Sequence, residues 1–225
     1  MKINYAVISK VGRRTNNEDA VRVVGYPDGE HWLGVVCDGM GGHSMGEVAA
    51  ESVADAVCNY WLCCDDEDSE AKVAAACRAA SEKLVERSSG LNDIQMGTTL
   101  VMASINGSTI TIAHCGDSRC YLMRGREAVY QTADHVDMHF GWESVTRCFF
   151  SRNPDAAVAD VMQFEIESGD RVLLCSDGLY KSIAPEILKA RIMDDKSPEE
   201  ILDVFDFLCE KNGDDNYTAI LAVVE

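Results

Sequence analysis

Four short segments each carry an acidic residue at the close of an apolar or strand-like run, among small or turn-forming neighbours. They are Val35-Val36-Cys37-Asp38-Gly39, Ala113-His114-Cys115-Gly116-Asp117-Ser118, Leu173-Leu174-Cys175-Ser176-Asp177-Gly178 and Gly213-Asp214-Asp215-Asn216. An Asp-Gly at a strand end holds its carboxylate at the sheet edge, and the glycine lets backbone carbonyls approach whatever the carboxylate binds. Carboxylates brought together in this way repel one another at neutral pH, and hard divalent cations that prefer oxygen ligands offset the repulsion. The chemistry to expect is a Mg2+ or Mn2+ site. Taken singly, each Asp also suits a turn in which it bonds nearby amides.

The ten cysteines include no Cys-x-x-Cys pair and are read as reduced, mostly buried thiols. None is expected in a Cys-x5-Arg phosphate loop, which argues against a thiol nucleophile.

The elements that must position the acids follow from periodicity. Ile3, Tyr5 and Val7 alternate as in a half-buried strand; Ala20 to Val24 is a second strand, closed by Tyr26-Pro27-Asp28-Gly29, and Trp32 to Cys37 a third. Ala49, Val53, Ala56, Val57 and Trp61, then Val73, Ala76, Cys77, Ala80 and Leu84, recur at helical spacing and predict an antiparallel helix pair. The acidic stretch from Asp65 to Ser69 between them lacks the spacing of a calcium loop and reads as a connection with an N-cap. After Gly97-Thr98-Thr99 the period returns to two, with an Asn106-Gly107 hairpin signal and a meander through Tyr121–Met123 and Ala128–Tyr130. Val172 to Cys175 is a further strand. Ser197-Pro198-Glu199-Glu200 opens a helix with Ile201, Val204, Phe205 and Leu208 inward, and Thr218 to Val224 is the last strand.

With 225 residues, 47% hydrophobic and 26% charged, the chain is expected to form one domain over 1–225. A formal net charge of −18 opposes binding to nucleic acid or an anionic membrane. Met1-Lys2-Ile3-Asn4-Tyr5 does not lead into an apolar signal region, and no stretch is long and apolar enough to span a bilayer. The expectation is a cytoplasmic monomer.

In chain order, seven elements resemble the metal-dependent protein phosphatase family of the protein phosphatase 2C type: Arg14-Thr15-Asn16-Asn17-Glu18-Asp19-Ala20, Asp38-Gly39-Met40-Gly41-Gly42-His43, Gly97-Thr98-Thr99, Gly116-Asp117-Ser118-Arg119, Thr132-Ala133-Asp134-His135, Ser176-Asp177-Gly178-Leu179 and Asp215-Asn216-Tyr217-Thr218. The resemblance covers nearly the whole chain. It implies an α+β fold, a four-layer αββα sandwich of two antiparallel sheets flanked by antiparallel helix pairs. It also implies two Mn2+ or Mg2+ ions at one end, with a weaker third. Asp38 would bridge two ions with the Gly39 carbonyl on one of them, Asp177 and Asp215 would complete the second, and Glu18 and Asp19 would hold outer waters. Asp117 would help bind the third ion. Arg14 would clamp the phosphoryl group, its neighbour Arg13 being a surface charge. His43 would support the loop behind the ligands, and His135 would make a structural hydrogen bond.

The implied reaction is hydrolysis of phosphoserine and phosphothreonine on proteins by a metal-bridging hydroxide, opposing a bacterial-type serine/threonine kinase. The alternatives are a hydrolase of a small phosphomonoester and a weakly catalytic pseudophosphatase that serves as a binding module. Two departures stand out. Met40 replaces the His of the eukaryotic pattern, so another group must supply the leaving-group proton. Residues 136–145, including Phe140 and Trp142, leave only a short loop where relatives carry a longer helical flap.

Overall fold

The computed structural model describes residues 1–25, 31–40, 45–64, 69–139 and 141–225. The Tyr26–Gly29 turn, His43, residues 65–68, Phe140 and the Trp142 side chain lie outside the described residues. Along the chain run β1 (Ile3–Lys10), β2 (Asp19–Gly25), β3 (His31–Met40), α1 (Gly46–Cys63), α2 (Glu70–Ser89), β4 (Gly97–Thr98), β5 (Leu100–Asn106), β6 (Thr109–Cys115), β7 (Arg119–Arg124) and β8 (Glu127–Gln131). There follow β9 (Val136–His139), β10 (Trp142–Val145), β11 (Phe149–Phe150), β12 (Asp160–Glu165), β13 (Arg171–Cys175), α3 (Asp177–Ser182), α4 (Pro185–Ile192), α5 (Pro198–Asn212) and β14 (Tyr217–Val224).

Among the described residues the strands make two large antiparallel sheets. One has the order β1-β14-β13-β7-β8; the other runs β11-β4-β3-β5-β6-β12, with β2 paired to β3. The side-chain alternation of a strand explains why both are buried on both faces. On β3, Leu33, Val35 and Cys37 point to α1 and α2, while Trp32 and Val36 point to the opposite sheet. On β14, Tyr217, Ala219 and Leu221 face α3, α4 and α5, while Ile220, Ala222 and Val224 face the first strands across the sandwich. The implied four layers are present, with α1 and α2 outside one sheet and α3, α4 and α5 outside the other. Leu174 is fully buried between the sheets, so Leu174→Ala removes packing worth roughly 2–5 kcal/mol.

Local signals account for the ends. Ser69 accepts from the Lys72 amide at 3.2 Å and caps α2. Ser197 and Glu200 form a capping box on α5, with 3.3 and 3.1 Å bonds. The β5–β6 hairpin turns at Gly107, whose φ of +59° favours glycine. Two expectations change. The buried stripe of α5 runs through Ile201, Leu202, Phe205 and Cys209, leaving Val204 and Leu208 half-buried. Val136–His139 and Trp142–Val145 are not irregular but pair as two antiparallel strands, β9 with β10. The short helices α3 and α4 and the strand β12 were not legible in the periodicity. No helix among the described residues is long and apolar enough to cross a membrane.

Candidate metal centre

The acids gather because strand ends of both sheets meet at one end of the sandwich. Asp19 opens β2 and pairs in register with Asp38 of β3. Asp117 follows β6, Asp177 starts α3 one residue after β13, and Asp215 precedes β14. Asp38 is not at a strand end as expected: β3 continues through Gly39 and Met40, which pair with β4. The Asp38 amide donates to Thr99 Oγ1 at 3.0 Å, and its carbonyl accepts from Thr98 Oγ1 and the Thr99 amide, each at 2.9 Å. Two threonines thus fix the backbone that aims this carboxylate.

Glycine is required at two points. A Cβ on Gly39 would overlap the Gly46 and Glu18 carbonyl groups, and one on Gly178 would overlap the Asn216 carbonyl oxygen. The Asn216 side chain holds the 11–18 segment in place: it accepts from the Glu18 amide at 2.9 Å and donates to the Val11 and Asn16 carbonyls, each at 2.8 Å. Sequence reasoning quoted Asn216 inside a motif but gave it no role.

A cleft of about 350 Å³ is lined by Arg14, Glu18, Asp38, Gly39, Asp117, Asp177 and Asp215, so seven of the residues singled out in the sequence share one cavity. Asp19 stands behind it, its Oδ2 accepting from Ser176 Oγ at 2.7 Å. Arg14 Nη2 donates to Asp215 Oδ2 at 2.8 Å, with the arginine side chain 58% exposed. Lys181, missed in the sequence, lies one turn after Asp177 on α3 and donates to its Oδ2 at 2.8 Å; the i, i+4 spacing was the available signal. Asp117 is not paired with Arg119, the alternative that a turn would suggest; Arg119 instead makes two bonds of 2.8 and 2.7 Å to Asp134.

The electrostatics are those of a crowded acidic cluster that Arg14 and Lys181 only partly offset. Burial, reinforced by the charges of Asp19, Asp177 and Asp117, holds the Asp38 carboxyl well above the usual range, and Asp38 shares a hydrogen bond with Asp177. Burial pushes Asp19 up to about 7, against the opposing bonds from Ser176 and Thr218. Burial, then the charge of Asp177, raises Asp117 to about 6. Burial and the neighbouring Glu47 also raise Glu18. A donor set made only of oxygens, strained by its own repulsion, fits Mg2+ or Mn2+ and does not suit a soft metal.

A second cluster, His114, His135 and Asp160, has three possible donor atoms within 4.8 Å of one another. Hydrogen bonds already occupy both ring nitrogens of His135. The Gly116 amide donates to His135 Nδ1 at 3.1 Å, so Nε2 carries the proton and donates to Asp160 Oδ2 at 3.0 Å. That Nε2 has no lone pair for a cation, and the structural role expected of His135 is met. The bare Cys-x5-Arg spacing does occur from Cys120 to Arg126, contrary to expectation. Cys120 nevertheless lies inside β7, fully buried, and burial pushes its thiol well up, so no phosphate loop forms there. All ten cysteines are free of disulfides.

Comparison with known proteins gives one consistent result. A family model described as "Protein phosphatase 2C" matches residues 9–222. The serine/threonine protein phosphatase PstP of Mycobacterium tuberculosis is 30% identical over 99% of this chain and 45% of its own length. The chain therefore spans less than half of that relative. The serine/threonine phosphatase stp of Listeria monocytogenes is 27% identical over 92% of this chain and 90% of its own. The crystal structure of M. tuberculosis PstP/Ppp matches with a TM-score of 0.84 at 30% identity, covering 100% of both chains. The PstP catalytic domain in complex with two manganese ions matches with a TM-score of 0.82 at 30% identity, covering 99% of both.

Proposed function

Because the chain belongs to the protein phosphatase 2C family, we propose that it is a Mn2+- or Mg2+-dependent protein phosphatase acting on phosphoserine and phosphothreonine. The observation that carries this reading is the convergence of Asp38, Asp177 and Asp215 with Arg14 on one cleft. Residues 1–225 act as one catalytic domain. Asp38, the Gly39 carbonyl, Asp177 and Asp215 would hold two ions, Glu18 and Asp19 would orient waters around them, and Asp117 would face a third position. When bound, the ions supply Lewis acidity and a water acidic enough to ionise near neutral pH.

The chain's own residues do the rest. Arg14 spends one donor on Asp215, which leaves the remaining N–H groups of its fork for two phosphoryl oxygens. Thr98 and Thr99 keep Asp38 from turning away, and Asn216 keeps Arg14 and Glu18 at the rim. Met40 lines the cleft where a histidine would otherwise offer a proton, so the leaving oxygen takes its proton from solvent held in the site.

The substrates are proteins phosphorylated by a bacterial-type serine/threonine kinase, and the chain works as a cytoplasmic monomer. The test is release of phosphate from a phosphothreonine peptide, abolished by a chelator and restored by Mn2+. Faster turnover of small phosphomonoesters than of any phosphopeptide would favour a metabolite hydrolase. Metal uptake without turnover of either would make the chain a binding module.

A further inference from the structure

Lys181 is drawn into the centre from three sides. Its Nζ donates to Asp177 Oδ2 at 2.8 Å and lies 3.3 Å from Glu143 Oε2 on β10 and 3.7 Å from Asp117 Oδ2 in the β6–β7 turn. The Asp117 side chain is 9% exposed, so water cannot offset much of its charge. Lys181 is the ion-pair partner found for Asp117, and for Glu143, among the described residues. One flexible ammonium therefore joins the helix that starts at Asp177, the turn that carries Asp117 and the hairpin beside the cleft.

We propose that Lys181 is a positioning residue, a built-in cation that occupies the Asp117 side of the centre in place of a third divalent ion and ties the β9–β10 hairpin to it through Glu143. A divalent ion on Asp117 would sit within a few ångströms of the ammonium, and two positive charges at that separation repel strongly. Such an ion enters only when Lys181 swings out, and the hairpin then loses its anchor. Third-ion binding and hairpin anchoring are thus mutually exclusive in this chain. The inference rests on the two-ion reading given above, and its test reads metal count and backbone protection rather than turnover.

The experiment titrates Mn2+ calorimetrically into the chelator-stripped full chain as wild type, Lys181→Gln, Lys181→Arg and Glu143→Gln. Hydrogen exchange of the amides of residues 136–145 is followed in each. The wild type is expected to take up two ions. Lys181→Gln should gain a weaker third binding event, and its hairpin amides should exchange faster by on the order of tenfold. Lys181→Arg should restore the count of two, and Glu143→Gln should loosen the hairpin while keeping that count. A third ion in the wild type, bound as tightly as in Lys181→Gln, would overturn the proposal. So would hairpin exchange that is the same in wild type, Lys181→Gln and Glu143→Gln. Wild-type protein that takes up no Mn2+ would overturn the two-ion reading itself, a result distinct from either.

Discussion

Arg14 and Asp215 are joined by a 2.8 Å bond from Nη2 to Oδ2, so the proposed phosphate clamp is anchored on a proposed metal ligand. Its neighbour Arg13 points elsewhere: its Nη2 donates to the Glu210 and Lys211 carbonyls at 3.4 and 3.2 Å, in the last turn of α5. Arg13 is therefore a tie to a helix end rather than the loose surface charge expected from sequence.

The pair gives the first prediction. Arg14→Ala should lower kcat/KM on a phosphothreonine peptide by about tenfold to several hundredfold, the range for losing charge-assisted phosphate contacts. Arg13→Ala should leave kcat/KM within about threefold and instead destabilise the fold by up to about 1 kcal/mol. Both are read at fixed Mn2+, beside a denaturant titration. Equal kinetic losses would mean that general positive charge, not a clamp, is being sensed.

Asp38→Asn should lower kcat/KM by more than about a hundredfold, since even groups that only support metal ligands are worth 10–100-fold. The backbone bonds from Thr98 and Thr99 do not involve the carboxylate, so the fold should persist by circular dichroism. Most of the wild-type rate surviving at saturating Mn2+ would remove Asp38 from the centre.

The chelated protein should lose stability as pH rises. Asp19 and Asp117 have folded pKa values of about 7 and about 6, and Asp38 is raised further, against roughly 3.9 when unfolded. Groups raised in this way bind more protons when folded, so their contribution is complete below about pH 4 and fades as pH passes through 6 to 7. The midpoint of thermal unfolding in EDTA should therefore be higher at pH 5 than at pH 8. Added Mn2+ should raise it most at pH 8, where the carboxylates are free to bind. A chelated midpoint that climbs from pH 5 to 8, or Asp19→Asn with the wild-type slope, would contradict the shifts.

Asn216→Ala should destabilise the protein by about 1–3 kcal/mol, because the buried Asn216 side chain gives up three part-buried bonds to the 11–18 segment at once. Mn2+ affinity should fall with it, since Glu18 and Arg14 are placed by that segment. The checks are the unfolding midpoint and a metal titration; wild-type values in both would deny Asn216 its bridging role.

Most of this centre was legible because each acid lies beside a signal of its own: a change of hydrophobic period, a glycine, a turn. Strands buried on both faces announced themselves as apolar runs, and Ser197 with Glu200 marked a helix start. What was hidden depended on contacts between distant segments. Asn216 reaches back some two hundred residues to Asn16 and Val11, and Glu143 meets Lys181 only once the hairpin folds beside α3. The α5 stripe was misread because Leu202 and Cys209, not Val204, face the sheet, a rotation that tertiary packing sets. Cys120 and Arg126 show the converse, a spacing that reads as chemistry and turns out to be one strand and the turn after it.

The burial of the thiols has a consequence under oxidising conditions. Peroxide attacks exposed thiolates first, and it silences phosphatases that depend on a low-pKa cysteine by converting it to a sulfenic acid. Here Cys37, Cys58, Cys77, Cys115, Cys120, Cys175 and Cys209 are buried, and burial pushes each of them towards the protonated thiol. The accessible sulfurs are Cys63 and Cys64 at the far end of α1 and the half-buried Cys148, and none of them lines the cleft. An oxidant burst that stops thiol-based dephosphorylation would leave the proposed metal-dependent activity running, with cysteine oxidation confined to the end of one helix and one loop.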